Sequence, residues 1–333
     1  MSTFAPLAGK THLVTGGAGL IGSHIVDGLV AAGAAEVRVL DDFSRGHRRN
    51  LTEACARGPV RIIEASVTNR AAVAAACDGV DTVFHLAAIR ITRCAQEPLL
   101  AHEILGTGTI NVFDSAARAG VRKVVASSSA SIYGQAESFP TTEEHHPYAN
   151  DTLYGALKSY LEGIAKAYHA THQLPYVAMR YFNVYGPRMD AEGKYTEVMI
   201  RWMERCAAGE PPIIQGDGKQ TMDFVYVGDV ARANLCAAVA PVRAGVYNIA
   251  RGEETSLRQL AELLSRTMGT DRPPIFAPPR ADAPPASRRL ASITAAERDL
   301  AFRAAVPLPE GLAALVAWWR SLQQTTPASP IAP

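Results

Sequence analysis

The chain has 333 residues, enough for one large domain or two modest ones around a well-buried core. Lys and Arg number 33 against 32 Asp and Glu, a formal net charge of +1, so no global field draws the chain to nucleic acid or to an anionic membrane, and a small-molecule partner is favoured. Five cysteines without a Cys-x-x-Cys pair, no apolar run near the ~18 residues of a membrane helix and an N-terminus without a secretion pattern predict a soluble, cytoplasmic protein with reduced thiols and no metal site.

In chain order, Val- and Ile-rich runs predict strands at 11–16, 36–41, 61–65, 81–87 and 123–129. Longer Ala- and Leu-rich patterns between and after them predict helices at 20–32, 70–77, 98–119 and 153–172, the last leading into a strand at 175–182. Such alternation predicts an α/β fold, a doubly wound parallel sheet with helices on both faces. From about residue 185 the chain becomes Pro- and Gly-rich with short helices. We expect a larger domain over 1–184, a smaller α/β lobe over 185–322 to which the substrate binds, and a disordered polar tail over 323–333, with VYNIA (246–250) able to return to the first domain.

Gly16, Gly19 and Gly22 in TGGAGLIG follow the first strand and open the first helix. Glycine at this spacing permits a tight turn, close approach of backbone to a pyrophosphate and close helix packing, and the helix N-terminus offers N–H groups to phosphate. At the end of the second strand stand Asp41 and Asp42, where a carboxylate accepts hydrogen bonds from a ribose diol and repels a 2′-phosphate. The order strand, glycines, helix, Asp predicts a Rossmann-type dinucleotide site favouring NAD, with Arg45 and Arg48 as the residues that would receive a 2′-phosphate instead.

The fifth strand ends in SSSASIYG (127–134), placing hydroxyls where open α/β sheets bind ligands, and YGALK puts Tyr154 and Lys158 on one helical face. With HLAA (85–88), RYFNVYGPR (180–188), GDGKQTMDFVYVGDV (216–230) and YNIARGEETSL (247–257), these motifs closely resemble the extended short-chain dehydrogenase/reductase family, within it the nucleotide-sugar epimerase and dehydratase branch. The resemblance covers nearly the whole chain.

It implies NAD as cofactor and a nucleoside-diphosphate sugar as substrate. Ser129, Tyr154 and Lys158 match the family's catalytic residues. A tyrosine ionises near pH ~10 and needs a cation beside it to act as a base at neutral pH, which Lys158 would supply while also reaching the nicotinamide ribose. Around the cofactor the resemblance sets Gly16, Gly19, Leu20, Ile21 and Gly22; Asp41, Asp42 and Ser44; Ser66 and Val67; Leu86, Ala87, Ala88 and Arg90; and Ser127 and Tyr181. Around the substrate it sets Ser129, Tyr154, Asn183, Arg188, Met222 and Arg280. Family members commonly pair through two long helices, here 98–119 and 153–172, so a homodimer is implied.

Departures from the pattern narrow the reaction. Sugar dehydratases of the branch carry an Asp-Glu pair, and decarboxylases a Glu, where this chain has Ala130 and Ser131. Without those carboxyl groups the remaining cycle is oxidation followed by reduction, an epimerisation, expected at carbon four of a UDP-hexose. A one-way nucleotide-sugar oxidoreductase and a non-catalytic dinucleotide sensor are the alternatives. Met222 stands where epimerases usually carry a second diphosphate-binding Arg, and Lys219, Arg188 or Arg201 would have to compensate. Leu105, Ser66-Val67 and the loop AAIRITRCAQEP (87–98), with Arg93 and Cys94, also depart from the family. His85 reads as a hydrogen-bonded core histidine, Tyr133 as structural or lining the sugar pocket, Ser127, Ser128 and Ser131, taken by themselves, as strand-end packing, and Trp318-Trp319 as packing for the small lobe.

Overall fold

The computed structural model describes residues 3–191, 197–279 and 288–325. Six strands come first: β1 (Thr11–Thr15), β2 (Glu36–Asp41), β3 (Val60–Glu64), β4 (Thr82–His85), β5 (Lys123–Ser129) and β6 (Tyr176–Tyr181). Then follow β7 (Asn183–Tyr185), β8 (Ile213–Gln215), β9 (Thr221–Tyr226), β10 (Ala244–Ile249), β11 (Glu254–Ser256) and β12 (Ile275–Ala277). Seven of them form one parallel sheet in the order β10-β6-β5-β4-β1-β2-β3. The chain winds outward from β1 in one direction and then in the other, and the crevice at the carboxyl ends of β1 and β4 is where such sheets hold ligands.

Strands β4, β5 and β6 are buried along their whole length, which is why their central residues are apolar on both faces rather than alternating with polar ones. Val14, Val39, Phe84 and Val125 pack on one face of the sheet; Leu13, Leu40, Val83 and Val124 pack on the other, against Phe113 and Leu161. Each such side chain gains about 1.5–3 kcal/mol on leaving water. Helices Leu20–Ala31 and Val227–Val239 cross so closely that a Cβ on Gly28 would lie 2.8 Å from a Leu235 methyl.

The smaller lobe has a three-stranded sheet, β11-β9-β7, a two-stranded one, β12-β8, and a core around Trp202, Met203, Leu264, Leu315 and Trp319. It is not built from one stretch of chain. Strand β9 runs directly into helix Val227–Val239 beneath the large sheet, and β10 then pairs with β6.

Three segments differ locally from expectation. The segment expected as a loop before Pro98 contains a helix, Ile91–Gln96. The single helix expected at 98–119 has three parts, Pro98–Ala101, a π turn over His102–Thr107 and Gly108–Arg118. There the Thr109 hydroxyl donates to the Leu105 carbonyl at 2.6 Å, a side chain bonding into the helical ladder. The final helix, Leu308–Thr325, continues through residues 323–325 of the expected tail, and residues 326–333 lie outside the described residues.

Candidate active site

A cleft of about 820 Å³ opens over the carboxyl ends of β1, β2, β4, β5 and β6. At its base the chain leaves β1 through Gly16, whose φ of +67° suits glycine. A Cβ on Gly22 would sit 2.2 Å from the Gly16 carbonyl oxygen, so the loop and the first turn of helix Leu20–Ala31 fit only as glycines. No side chain caps that helix at Gly19, which leaves its first N–H groups for a ligand. Gly19, Leu20 and Ile21 line the cleft beside them.

At the end of β2, Asp41 Oδ2 accepts the Ala18 N–H at 2.9 Å and Oδ1 accepts the Phe43 N–H at 2.9 Å. Burial raises the Asp41 pKa, and the two N–H bonds oppose that shift. Each carboxylate oxygen keeps one lone pair for a hydroxyl donor in the cleft. Asp42 is exposed and accepts the Ser44 N–H at 3.0 Å. Ser66 and Val67 after β3, and Leu86, Ala87, Ala88 and Arg90 after β4, complete this side of the cleft. A close-packed glycine cradle, an uncapped helix start and a carboxylate with spare acceptors fit a dinucleotide.

The opposite wall carries the reactive groups. Ser129 ends β5, Tyr181 ends β6, and both line the cleft with Ser127, Tyr154 and Lys158. Helix Leu153–His172 starts where the Thr152 hydroxyl accepts the Gly155 N–H at 3.1 Å. Asn150 Oδ1 in turn accepts from the Thr152 N–H and hydroxyl, and a Cβ on Gly155 would lie 2.3 Å from that oxygen. The glycine after Tyr154 is thus what lets this cap form, and the cap sets the angle of the tyrosine.

Lys158 is fully buried, and its Nζ donates to the Ser127 carbonyl at 2.6 Å and to Ser127 Oγ at 3.1 Å. Burial pulls its pKa down to about 8, with Cys94 and Glu162 opposing. Burial also pushes Tyr154 up to about 12, against the pull of a hydrogen bond with Ser129. The Lys158 ammonium lies 5.7 Å from the Tyr154 ring centroid. Desolvation therefore disfavours both charged forms, yet with Lys158 near 8 and Tyr154 near 12 the pair at neutral pH is an ammonium beside a neutral phenol. Cys94, buried beneath them with Leu105 and Leu157, is a core thiol whose pKa burial raises.

Not every expected residue reaches this cleft. Asn183 lines an adjoining hollow of about 250 Å³ with Phe224, and that hollow shares Glu197 and Val198 with the cleft. Met222 packs against the small-lobe core and lines neither space, because its strand turns it toward helices of that lobe. Arg188 lines the cleft, yet its Nη1 pairs with Asp27 at 2.7 Å. Lys219 is exposed beside Asp217, and Arg93 pairs with Glu97; neither lines the cleft. Arg280 lies outside the described residues. Tyr133 donates to Asn248 at 2.6 Å and accepts from Arg180 at 2.9 Å, a structural role. His85 is a core histidine bonded to Thr15 and Thr109, its pKa lowered to about 3 by burial.

Sequence reasoning missed a charged crossing over the cleft. Arg90 Nη2 pairs with Asp190 at 3.0 Å and Arg45 Nε approaches the same carboxylate at 3.6 Å. Asn50, also missed, donates to the Ala18 carbonyl at 2.8 Å and holds the phosphate loop. Their partners are far along the chain, and no local pattern announces them.

Strand order, glycine loop and the Ser-Tyr-Lys wall define a short-chain dehydrogenase/reductase site. The chain matches the model of the NAD dependent epimerase/dehydratase family over residues 12–250 and belongs to that family of enzymes. It is 35% identical over 316 residues to the UDP-glucose 4-epimerase of Mycolicibacterium smegmatis, spanning 94% of this chain and 99% of that one. Among solved structures it is similar to a UDP-N-acetylglucosamine 4-epimerase from Methanobrevibacter ruminantium in complex with UDP-N-acetylmuramic acid (TM-score 0.88, 31% identity, 95% and 99% of the two chains). It is also similar to the UDP-glucose 4-epimerase of Thermotoga maritima with UDP-glucose (TM-score 0.86, 33% identity, 94% and 99%).

Proposed function

We propose that the protein is an NAD-dependent 4-epimerase of a UDP-hexose. NAD, bound between the glycine loop, Asp41 and the wall of Ser127 and Lys158, supplies the hydride acceptor and donor. Tyr154 takes the proton of the sugar hydroxyl and later returns one, Lys158 favours the phenolate through its charge, and Ser129 hydrogen-bonds the reacting oxygen. The observation that carries this is the end of β5: Ala130 and Ser131 follow Ser129, so no carboxyl group stands there to protonate a leaving hydroxyl, and the chemistry left to the wall is reversible alcohol oxidation. The relatives named as 4-epimerases support the same reading.

The test is incubation of purified protein with UDP-glucose, UDP-N-acetylglucosamine and UDP-glucuronate, without added cofactor, with products resolved by chromatography and proton NMR. A carbon-four epimer is expected. Release of a one-way oxidised or reduced product that requires added NAD would overturn the proposal.

We extend the proposal to a cytoplasmic homodimer. The helical run 98–118 and helix Leu153–His172 leave Leu99, Ile110 and Tyr160 exposed, apolar surface suited to a second copy. Five free thiols suit a reducing compartment. Among the described residues no helix is long and apolar enough to cross a membrane. Sedimentation equilibrium should give twice the chain mass, and Leu99→Lys should shift it toward monomer.

A further inference from the structure

We infer that Arg289 is the cation that receives an oxyanion of the nucleotide sugar. The inference rests on the nucleotide-sugar reading above and adds the residue that answers the substrate's charge.

Its basis is the register of the small-lobe sheet. Asn183 faces Phe224 across the β7–β9 ladder, so Phe224 and, two residues earlier, Met222 share one face of the sheet; Phe224 borders the hollow beside the cleft, and Met222 lies further along, against the small-lobe core. The segment 288–289 runs along β9: Thr221 bridges Arg288 in parallel, and the Arg289 N–H donates to the Thr221 carbonyl at 3.1 Å. The side chains of Thr221 and Arg288 point away from that face. The Thr221 hydroxyl donates to Glu254, and Arg288 forms a two-pronged pair with the same carboxylate at 2.7 and 2.8 Å. Alternation along the two strands therefore turns Met222 and Arg289 to the side of Asn183.

On that side Met222 contributes a thioether and no charge. The other nearby cations are already engaged: Arg188 with Asp27, Arg251 with Glu253 and the Val306 carbonyl, and Arg288 with Glu254. Arg289 is half-buried, and among the described residues its guanidinium has no hydrogen bond or ion pair. Burial lowers its pKa, and the carboxylate that opposes this is Asp151, just before the Thr152 cap of the helix that carries Tyr154. The guanidinium thus lies on the Asn183 side of β9, within electrostatic reach of Asp151. A partly desolvated, unpaired guanidinium is costly until it meets an anion, and its planar fork fits phosphate or carboxylate two-pronged. The oxyanion is the diphosphate common to all such substrates or the carboxylate of a uronic sugar.

Calorimetric titration of the NAD-loaded protein with UDP, dTDP, UDP-glucose and UDP-glucuronate tests this, comparing wild type with Arg289→Gln and Arg289→Lys, each first checked for an unchanged melting temperature. The expected result is about 10- to 100-fold weaker binding for Arg289→Gln, with Arg289→Lys in between. Weakening for all four ligands assigns the diphosphate; weakening confined to UDP-glucuronate assigns the sugar carboxylate. Wild-type affinities retained by both variants overturn the inference alone. A wild-type protein that binds none of the four overturns the nucleotide-sugar reading and this inference with it.

Discussion

Lys158 bonds to strand β5 rather than to the tyrosine four residues before it: its Nζ meets the Ser127 carbonyl at 2.6 Å and lies 5.7 Å from the Tyr154 ring centroid. The positive charge is thereby fixed to the sheet, and it acts on the phenol through space. Replacing Lys158 by Met removes that charge, so Tyr154 ionises at higher pH and the rising limb of the kcat/KM profile moves to the alkaline side. At pH 7 the loss is ~10²-fold or more. An unshifted limb in a folded variant would contradict the assignment.

Tyr154→Phe deletes one hydroxyl whose protein contact is the hydrogen bond with Ser129. The chain should fold as before and keep its NAD, while kcat falls by ~10²–10⁴. Turnover measured alongside cofactor released by heat denaturation separates a chemical defect from a binding one. Full activity would exclude Tyr154 as the acid and base.

Gly22→Ala places a methyl group where 2.2 Å separates it from the Gly16 carbonyl, so the helix must lift from the phosphate loop. Strain of ~1–3 kcal/mol at that contact predicts ~10- to 100-fold weaker NAD binding. Cofactor content after purification and dilution reads this directly. Retention equal to wild type would show that the loop tolerates the shift.

Asp223, wholly buried beside Met222, accepts the N–H groups of Arg251, Gly252 and Ala291 at 2.9, 3.0 and 3.2 Å. Asp223→Ala orphans all three, costing ~3 kcal/mol or more and lowering the melting temperature by ~6 °C or more. Burial pushes its pKa up from 3.8 to about 6, so the folded chain holds a proton that the unfolded chain has released. Stability from this group is present at low pH and is lost as pH rises from about 4 to about 6. Melting temperatures at pH 4 and pH 7 should therefore differ by less, through this window, in Asp223→Asn than in wild type.

What the sequence revealed and what it concealed divide by range. Strands such as KVVASSS are legible because their middle, buried on both faces, is a short β-branched apolar run, and TGGAGLIG is legible because its spacing is local. The helix Ile91–Gln96 is too short to display a period, and the wide turn at His102–Thr107 interrupts a helical pattern with no proline within it to announce it. The Arg90–Asp190 pair joins segments about a hundred residues apart, and Asn50 acts on a loop thirty residues earlier. Ser127 was legible as a cleft residue but not as the anchor of Lys158, because a backbone carbonyl leaves no mark in the composition.

Strand β10 is synthesised after β7, β8 and β9 of the small lobe and then closes the edge of the large sheet against β6, in register from Ala244 opposite Tyr176 to Ile249 opposite Tyr181. A recombinant chimera with a relative, made by a single crossover near residue 185, would take β6 from one parent and β10 from the other. The junction would then run through the sheet itself, where six residue pairs must match in shape. Transplanting substrate preference between such enzymes calls for a first breakpoint at about residue 182, before β7, and one more on each side of the stretch 227–249, so that the β6–β10 and β7–β9 ladders are each inherited whole.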